Sequence, residues 1–180
     1  MSTILVPLAP GFEELEAVAV IDILRRGGVT VLVAGLDAII VAGARGITLQ
    51  CDMLLSAVDG RTLNGVVLPG GMPGTRNLLK SSFLRELIIA LDREEALVAA
   101  ICAAPTVLYA AGLLKGKKAT VYPGLEKDMP ETVLSSEAVV IDGNIVTSRA
   151  AGTAVPFTLA LLEKLAGRDK ALEVKQSILA

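Results

Sequence analysis

No histidine occurs among the 180 residues. A Ser-His-Asp or Cys-His couple within the chain is thereby excluded, as is every zinc site that needs imidazole. Acid–base chemistry must fall to carboxylates, tyrosine, lysine or a thiol. Aromatic residues make up only 3% and tryptophan is absent, against 53% hydrophobic residues, so the core must be packed from Val, Leu, Ile and Ala. That aliphatic density suits parallel strands buried on both faces. The two cysteines, Cys51 and Cys102, lie far apart and offer neither a disulfide framework nor metal-ligand spacing. No long basic run is present, and 17 Lys+Arg against 19 Asp+Glu leave a net charge of −2, which argues against nucleic acid as the main partner. No apolar segment approaches the ~20 residues of a membrane span. The chain opens on Thr3-Ile4-Leu5-Val6 with no positively charged leader before it, so a cytoplasmic protein is expected.

Taken in order, the chain alternates strand and helix signals. Ile4 to Leu8 read as a first strand, and Glu13-Glu14-Leu15-Glu16 open a helix reaching about Arg26, closed by Gly27-Gly28. Its acidic first turn suits the helix dipole, which is explanation enough for Glu13 and Glu14. Glu16 differs, being flanked by apolar residues, and the helix is apolar on more than one side, as if it met a second subunit. Val29 to Ala34 form the next strand. Ile39 to Ala42 and Ile47 to Gln50 suggest a hairpin around Arg45, and Asp52 to Asp59 a connecting loop. Val66-Val67-Leu68 reads as a buried strand, followed by a helix from Ser82 to about Glu94. Ala119 to Tyr122 suggest a further strand, Ala138 to Ile141 and Ile145 to Thr147 a hairpin through Asp142-Gly143, and Ala154 to Leu165 and Asp169 to Ile178 two closing helices. With no repeat or linker, residues 1–180 are expected to form one α/β domain, flavodoxin-like, with a mostly parallel sheet and helices on both faces.

The stretch Leu97-Val98-Ala99-Ala100-Ile101-Cys102-Ala103-Ala104-Pro105 is the most telling. An apolar run of strand character ends at Cys102, and Pro105 stands where a helix has its first turn. Ala100 and Ala104 flank Cys102 at two residues either side, the small-x-nucleophile-x-small spacing of a nucleophile elbow. A helix start favours the thiolate, so the Cys102 pKa is expected to fall below the ordinary ~8.5. A cysteine in an apolar run is ordinarily a small core residue. Here three features reach the carboxyl ends of their strands together: Glu16, Cys102 and the Pro69-Gly70-Gly71 turn. Such glycines permit close backbone approach and can expose N–H groups as an anion nest, or form an ordinary turn. Neither G-x-G-x-x-G nor G-x-x-x-x-G-K-[ST] can be read there, so no nucleotide cofactor is implied.

Four segments together carry a resemblance: Ala9-x-Gly11-x-Glu13-Glu14-x-Glu16, Leu68-Pro69-Gly70-Gly71, Ala99 to Pro105, and Thr147-Ser148-Arg149-x-x-Gly152-Thr153. They resemble the DJ-one/ThiJ/PfpI superfamily, in the branch of the Parkinson-disease-linked protein deglycase and its bacterial relatives. The resemblance implies a flavodoxin-like homodimer that needs no cofactor or metal. It implies a glyoxalase that converts methylglyoxal to lactate, or a protein deglycase, with a small dicarbonyl or a glycated protein as partner. A non-enzymatic redox sensor or chaperone using the same oxidisable thiol is the alternative it leaves. Position by position, Cys102 matches the nucleophile and Glu16 the buried carboxyl beside its sulfur, while Gly70, Gly71 and Ala103 match the backbone donors for an oxyanion. Glu13, Arg26, Arg45 and Arg149 resemble residues of the site rim or the dimer contact. Ala103 stands where protease-like branches carry histidine, and Tyr122 where the disease-linked relative has one near the thiol. Ala151 replaces a common proline, and Cys51 takes no role.

Overall fold

Strands and helices alternate along the chain as the aliphatic runs require, and a computed structural model describes residues 2–180. In order they are β1 (Thr3–Leu8), α1 (Glu14–Arg26), β2 (Thr30–Gly35), β3 (Ile40–Ala42), β4 (Thr48–Gln50), β5 (Met53–Leu54), β6 (Gly65–Leu68), α2 (Gly74–Leu79) and α3 (Ser82–Arg93). There follow β7 (Leu97–Ile101), α4 (Pro105–Ala110), β8 (Lys118–Ala119), β9 (Val133–Leu134), β10 (Val139–Asp142), β11 (Ile145–Ser148), α5 (Ala154–Ala166) and α6 (Arg168–Ser177). A seven-stranded sheet has the order β10-β11-β7-β6-β1-β2-β5. Only β10 and β11 pair antiparallel within it, across the expected Asp142-Gly143 turn.

The period of two along each strand sorts the core into two layers. Ile4, Val6 and Leu8 of β1 and Ala99 and Ile101 of β7 face α1, α5 and α6, where Phe157, Leu161 and Leu162 pack. Leu5 of β1 and Val98 and Ala100 of β7 face the opposite way, against Leu78 of α2, Leu84 and Ile88 of α3 and Val107 and Leu108 of α4. The sheet is therefore covered on both sides, which is why its strands read as continuous apolar runs rather than alternating ones. The succession runs outward from β1 to β2 on one side and to β6 and β7 on the other. That reversal opens a crevice at the carboxyl ends of the central strands, where ligands bind in open α/β sheets.

Three expectations need correction. The Asp52–Asp59 loop contains an edge strand, β5, paired parallel to β2, and a single turn of tight helix at Leu55–Ala57. A short helix, α2, precedes α3 and was hidden by its glycine and proline flanks. Ala119 to Tyr122 do not join the main sheet: Lys118 and Ala119 pair with Val133 and Leu134 in a small separate ladder. Beyond Ala119 the backbone has other obligations, since Thr120 N–H donates to Thr147 Oγ1 at 2.9 Å and Tyr122 N–H to the carbonyl of Cys102 at 2.8 Å.

With so few aromatics, Phe157 is one of two large rings fully enclosed in the core. Phe157→Ala is expected to cost about 3–5 kcal/mol of unfolding free energy, because the ring is fully buried and its removal leaves a void in the α1–α5 layer. Urea unfolding of the two proteins measures the difference.

Candidate active site

Cys102 follows β7 directly and lies in the left-handed region at φ +63, a conformation non-glycine residues seldom adopt. Such a residue costs on the order of 1–3 kcal/mol and persists only where its surroundings fix it. They do here. The Cys102 N–H donates to the Ser148 carbonyl of β11 at 2.9 Å, and its carbonyl accepts from Tyr122 N–H at 2.8 Å. Ala100 and Ala104 have no exposed surface, so the small residues around the elbow are required by packing. Pro105 occupies the first turn of α4, as its position after the strand suggested. The expected strained elbow is present.

Glu16, on the first turn of α1, is fully enclosed. Its Oε2 accepts from the Gly70 N–H at 2.7 Å, and the carboxyl lies within hydrogen-bonding reach of the Cys102 thiol. A Cβ on Gly70 would stand 2.7 Å from the Cβ of Cys102 and 2.9 Å from that oxygen, so residue 70 must lack a side chain for the three groups to meet. Gly71 lies at φ +91, and a side chain there would collide with the backbone nitrogen of Glu13. Glu13 N–H donates to the Gly70 carbonyl at 2.9 Å, tying the start of α1 to the end of β6. Gly70 therefore departs from its expected place among the oxyanion donors: its N–H is already committed to Glu16. The N–H groups that face the sulfur are those of Ala103 and Gly71.

Burial pushes the Glu16 carboxyl up to about 7, against the hydrogen bonds from Gly70 and Cys102 that favour its ionised form. The Cys102 thiol is pushed up to about 12, first by burial and then by the charge and hydrogen bond of Glu16. This differs from the expectation of a simply acidified thiol, and the reasons are burial first and then the second acid, Glu16, in the same enclosed space. The carboxyl is the more acidic of the pair. Its ionised form is met by Gly70 N–H, and the Gly71 and Ala103 N–H groups face the sulfur and favour its ionised form.

The sulfur opens into a cavity of about 400 Å³ lined by Glu13, Arg45, Gly71, Met72, Cys102, Ala103, Tyr122, Pro123, Gly124 and Leu125. Glu13 and Arg45 thus line the cavity that holds the sulfur. Arg26 does not: its Nε donates to Asp22 at 2.7 Å near the far end of α1, beside a separate groove. Arg149 also stands outside this cavity, donating from Nη1 to the Ser136 carbonyl at 2.9 Å. Tyr122 lines the cavity with Cys102; the Pro123–Leu125 part of this wall was missed, although Pro123-Gly124 after an apolar run was the same kind of signal that singled out Gly70-Gly71. Glu14 was missed too. It is buried against the β3–β4 turn, and nothing in an acidic first turn distinguishes it from its neighbours. Cys51 is buried, with its thiol pushed up by burial and by Asp52, and takes no part.

These features can be set beside known proteins. The DJ-1/PfpI family profile matches residues 2–164. The protein DJ-1 homolog A of Arabidopsis thaliana is 42% identical over 181 residues, which cover 98% of this chain but 46% of that protein, so the chain spans about half the length of this relative. The glutathione-independent glyoxalase DJR-1.2 of Caenorhabditis elegans is 34% identical over 160 residues, covering 88% of this chain and 85% of that protein. The crystal structure of Drosophila melanogaster DJ-1beta superposes with a TM-score of 0.96 at 40% identity, covering 100% of this chain and 99% of that one. Sequence and fold agree along nearly the whole length, and the chain belongs to the DJ-1/PfpI family.

Proposed function

We propose that this protein is a cofactor-independent glyoxalase and protein deglycase, acting through Cys102 on methylglyoxal and on glycated thiols and amines in the response to oxidative and carbonyl stress. One observation carries the reading: a cysteine in a strained elbow stands beside a buried carboxyl while two N–H groups face its sulfur. The name of the nematode relative supports the reaction class.

The chemistry follows from that arrangement. Glu16, as carboxylate, takes the thiol proton as the sulfur adds to the aldehyde carbon of methylglyoxal, forming a C–S bond and moving the carbonyl π pair onto oxygen. Gly71 and Ala103 N–H receive that oxyanion, a contribution of roughly 3–4 kcal/mol per donor in comparable sites. Glu16 returns the proton to the oxyanion, giving a hemithioacetal and restoring the carboxylate. Glu16, as carboxylate, then removes the hydrogen from the former aldehyde carbon and returns a proton to the neighbouring carbon. The first carbon is oxidised and the second reduced, so no outside electron acceptor enters. Water cleaves the resulting lactoyl thioester, giving lactate and restoring the thiol. Glycated thiols and amines, as hemithioacetals and hemiaminals, first expel their thiol or amine to regenerate the aldehyde, which Cys102 then attacks in the same way.

A redox-sensing or chaperone role uses the same atom. It is favoured by the opening of the Cys102 sulfur onto the cavity, beside N–H groups able to hold sulfinate oxygens, whereas Cys51 is enclosed. We propose further that the protein acts as a homodimer through α1, whose outer face exposes Leu15 at 56% and Val18 at 44%. Among the described residues, no helix is long and apolar enough to cross a membrane.

Wild-type protein is expected to form lactate from methylglyoxal without glutathione, and Cys102→Ser to form none. If neither variant makes lactate while the wild-type thiol still oxidises at Cys102, the sensor reading replaces the enzymatic one. Glu16 gives a separate signature in stability. Its folded pKa of about 7 lies above its unfolded value of 4.5, so its contribution is complete below pH 4.5 and is lost as pH rises through 7. Wild type is therefore expected to lose about 3 kcal/mol relative to Glu16→Gln between pH 4.5 and 8. Denaturant titrations of both proteins across that range test it, and a constant difference would contradict the buried carboxyl. Leu15→Glu is expected to halve the mass seen by sedimentation equilibrium, and an unchanged mass would rule out α1 as the contact.

A further inference from the structure

Glu14 is adjacent in sequence to the cavity-lining Glu13 yet turns away from the sulfur. It is 4% exposed, and its Oε1 accepts from Arg45 N–H at 2.6 Å and from Ile47 N–H at 3.3 Å. Both donors belong to the turn between β3 and β4. The same turn is stitched to the segment before α1 by Gly11 N–H to the Ala42 carbonyl and Ala44 N–H to the Phe12 carbonyl, each at 2.8 Å. Gly43 lies so close that a Cβ on it would overlap the Glu14 carboxyl. Burial works against the charge on Glu14, but the N–H groups of Glu14, Arg45 and Ile47 and the charge of Arg45 outweigh it and hold the carboxyl below its ordinary pKa. A buried anion is thus built into the root of a glycine-flanked turn that would otherwise be loose.

What the turn displays is Arg45. Its guanidinium takes part in no ion pair among the described residues, and its one side-chain hydrogen bond is a 3.5 Å contact with the neighbouring Ala44 carbonyl. It lines the Cys102 cavity with its five donors uncommitted to any acid. A guanidinium in that state matches paired oxygens.

We propose that Glu14 is a positioning residue that fixes the β3–β4 turn so that Arg45 receives the second oxygen function of the substrate, an adjacent carbonyl or a carboxylate. The preferred substrates are then small aldehydes with an oxygen-bearing group next to the reacting carbon. The identity of the reaction rests on the function proposed above, but the positioning does not.

The alkylation of Cys102 tests this without turnover. Iodoacetate is anionic and iodoacetamide neutral, and the ratio of their rates at Cys102, followed by peptide mass, reports the positive charge at the mouth. Arg45→Ala is expected to lower the ratio about fivefold at low salt. Glu14→Leu should lower it to the same extent, whereas Glu14→Gln, which keeps an accepting oxygen, should retain most of it. In the Arg45→Ala background Glu14→Leu should add nothing, because its effect passes through the arginine. Gly43→Ala, which intrudes on the carboxyl from the other side, should reproduce the loss even if Glu14→Leu folds poorly. Turnover should show a raised KM for methylglyoxal with little change in kcat. A wild-type ratio in both Glu14→Leu and Gly43→Ala, or a further drop in the double variant, would overturn the proposal. Absence of lactate from wild type would instead remove the glyoxalase reading, so the two failures are distinct.

Discussion

Everything in the site depends on one backbone torsion, the left-handed φ of Cys102. An ordinary strand residue would alternate its side chain into one of the two core layers, as Ile101 and Ala100 do. The reversal at residue 102 takes the sulfur out of that alternation and turns it toward the crevice. Maintaining it requires β11 to supply the Ser148 carbonyl and the chain after β8 to supply the Tyr122 N–H. Two separate elements are thus held beside the thiol by the hydrogen bonds that keep it strained. The cavity wall at Tyr122 to Leu125 is a by-product of that anchoring.

The electrostatics repeat the same economy. Three consecutive-strand ends deliver a carboxyl, a thiol and a row of backbone N–H groups into a space that admits no Cβ at residue 70. Because Gly70 serves the carboxylate while Gly71 and Ala103 serve the sulfur, neither position of the negative charge is left unmet. A buried charge without such donors would cost several kcal/mol.

Much of this was legible in the sequence, and for identifiable reasons. The aliphatic runs fixed the parallel sheet, since only strands covered on both faces tolerate them, and the two hairpins were marked by their turn residues. Cys102, Glu16 and Gly71 were recoverable because each follows a strand, where an α/β sheet places its ligands. The Ala119–Tyr122 segment was misread because its β-branched and aromatic residues look like a strand, while side-chain and elbow carbonyls claim its N–H groups. Gly70 was assigned to the oxyanion because composition cannot tell which of two adjacent glycines already has a partner. Which of the two expected places, site rim or subunit contact, Arg26, Arg45 and Arg149 take was not legible, since an arginine's reach depends on what lies near it in space. The raised thiol pKa was hidden for the same reason: a helix start is visible in sequence, whereas the enclosure of the sulfur and the closeness of Glu16 are not.

The opening of α1 shows how tightly a helical rotation of about 100° per residue can be used. Glu13 borders the cavity, Glu14 roots a turn, Leu15 faces solvent, Glu16 meets the thiol and Ala17 enters the core. Five neighbouring positions answer to five different environments, and insertion or deletion of one residue would exchange every assignment at once. This stretch can tolerate substitution only residue by residue. It cannot tolerate a shift in phase, so length variation in this protein's lineage must fall elsewhere.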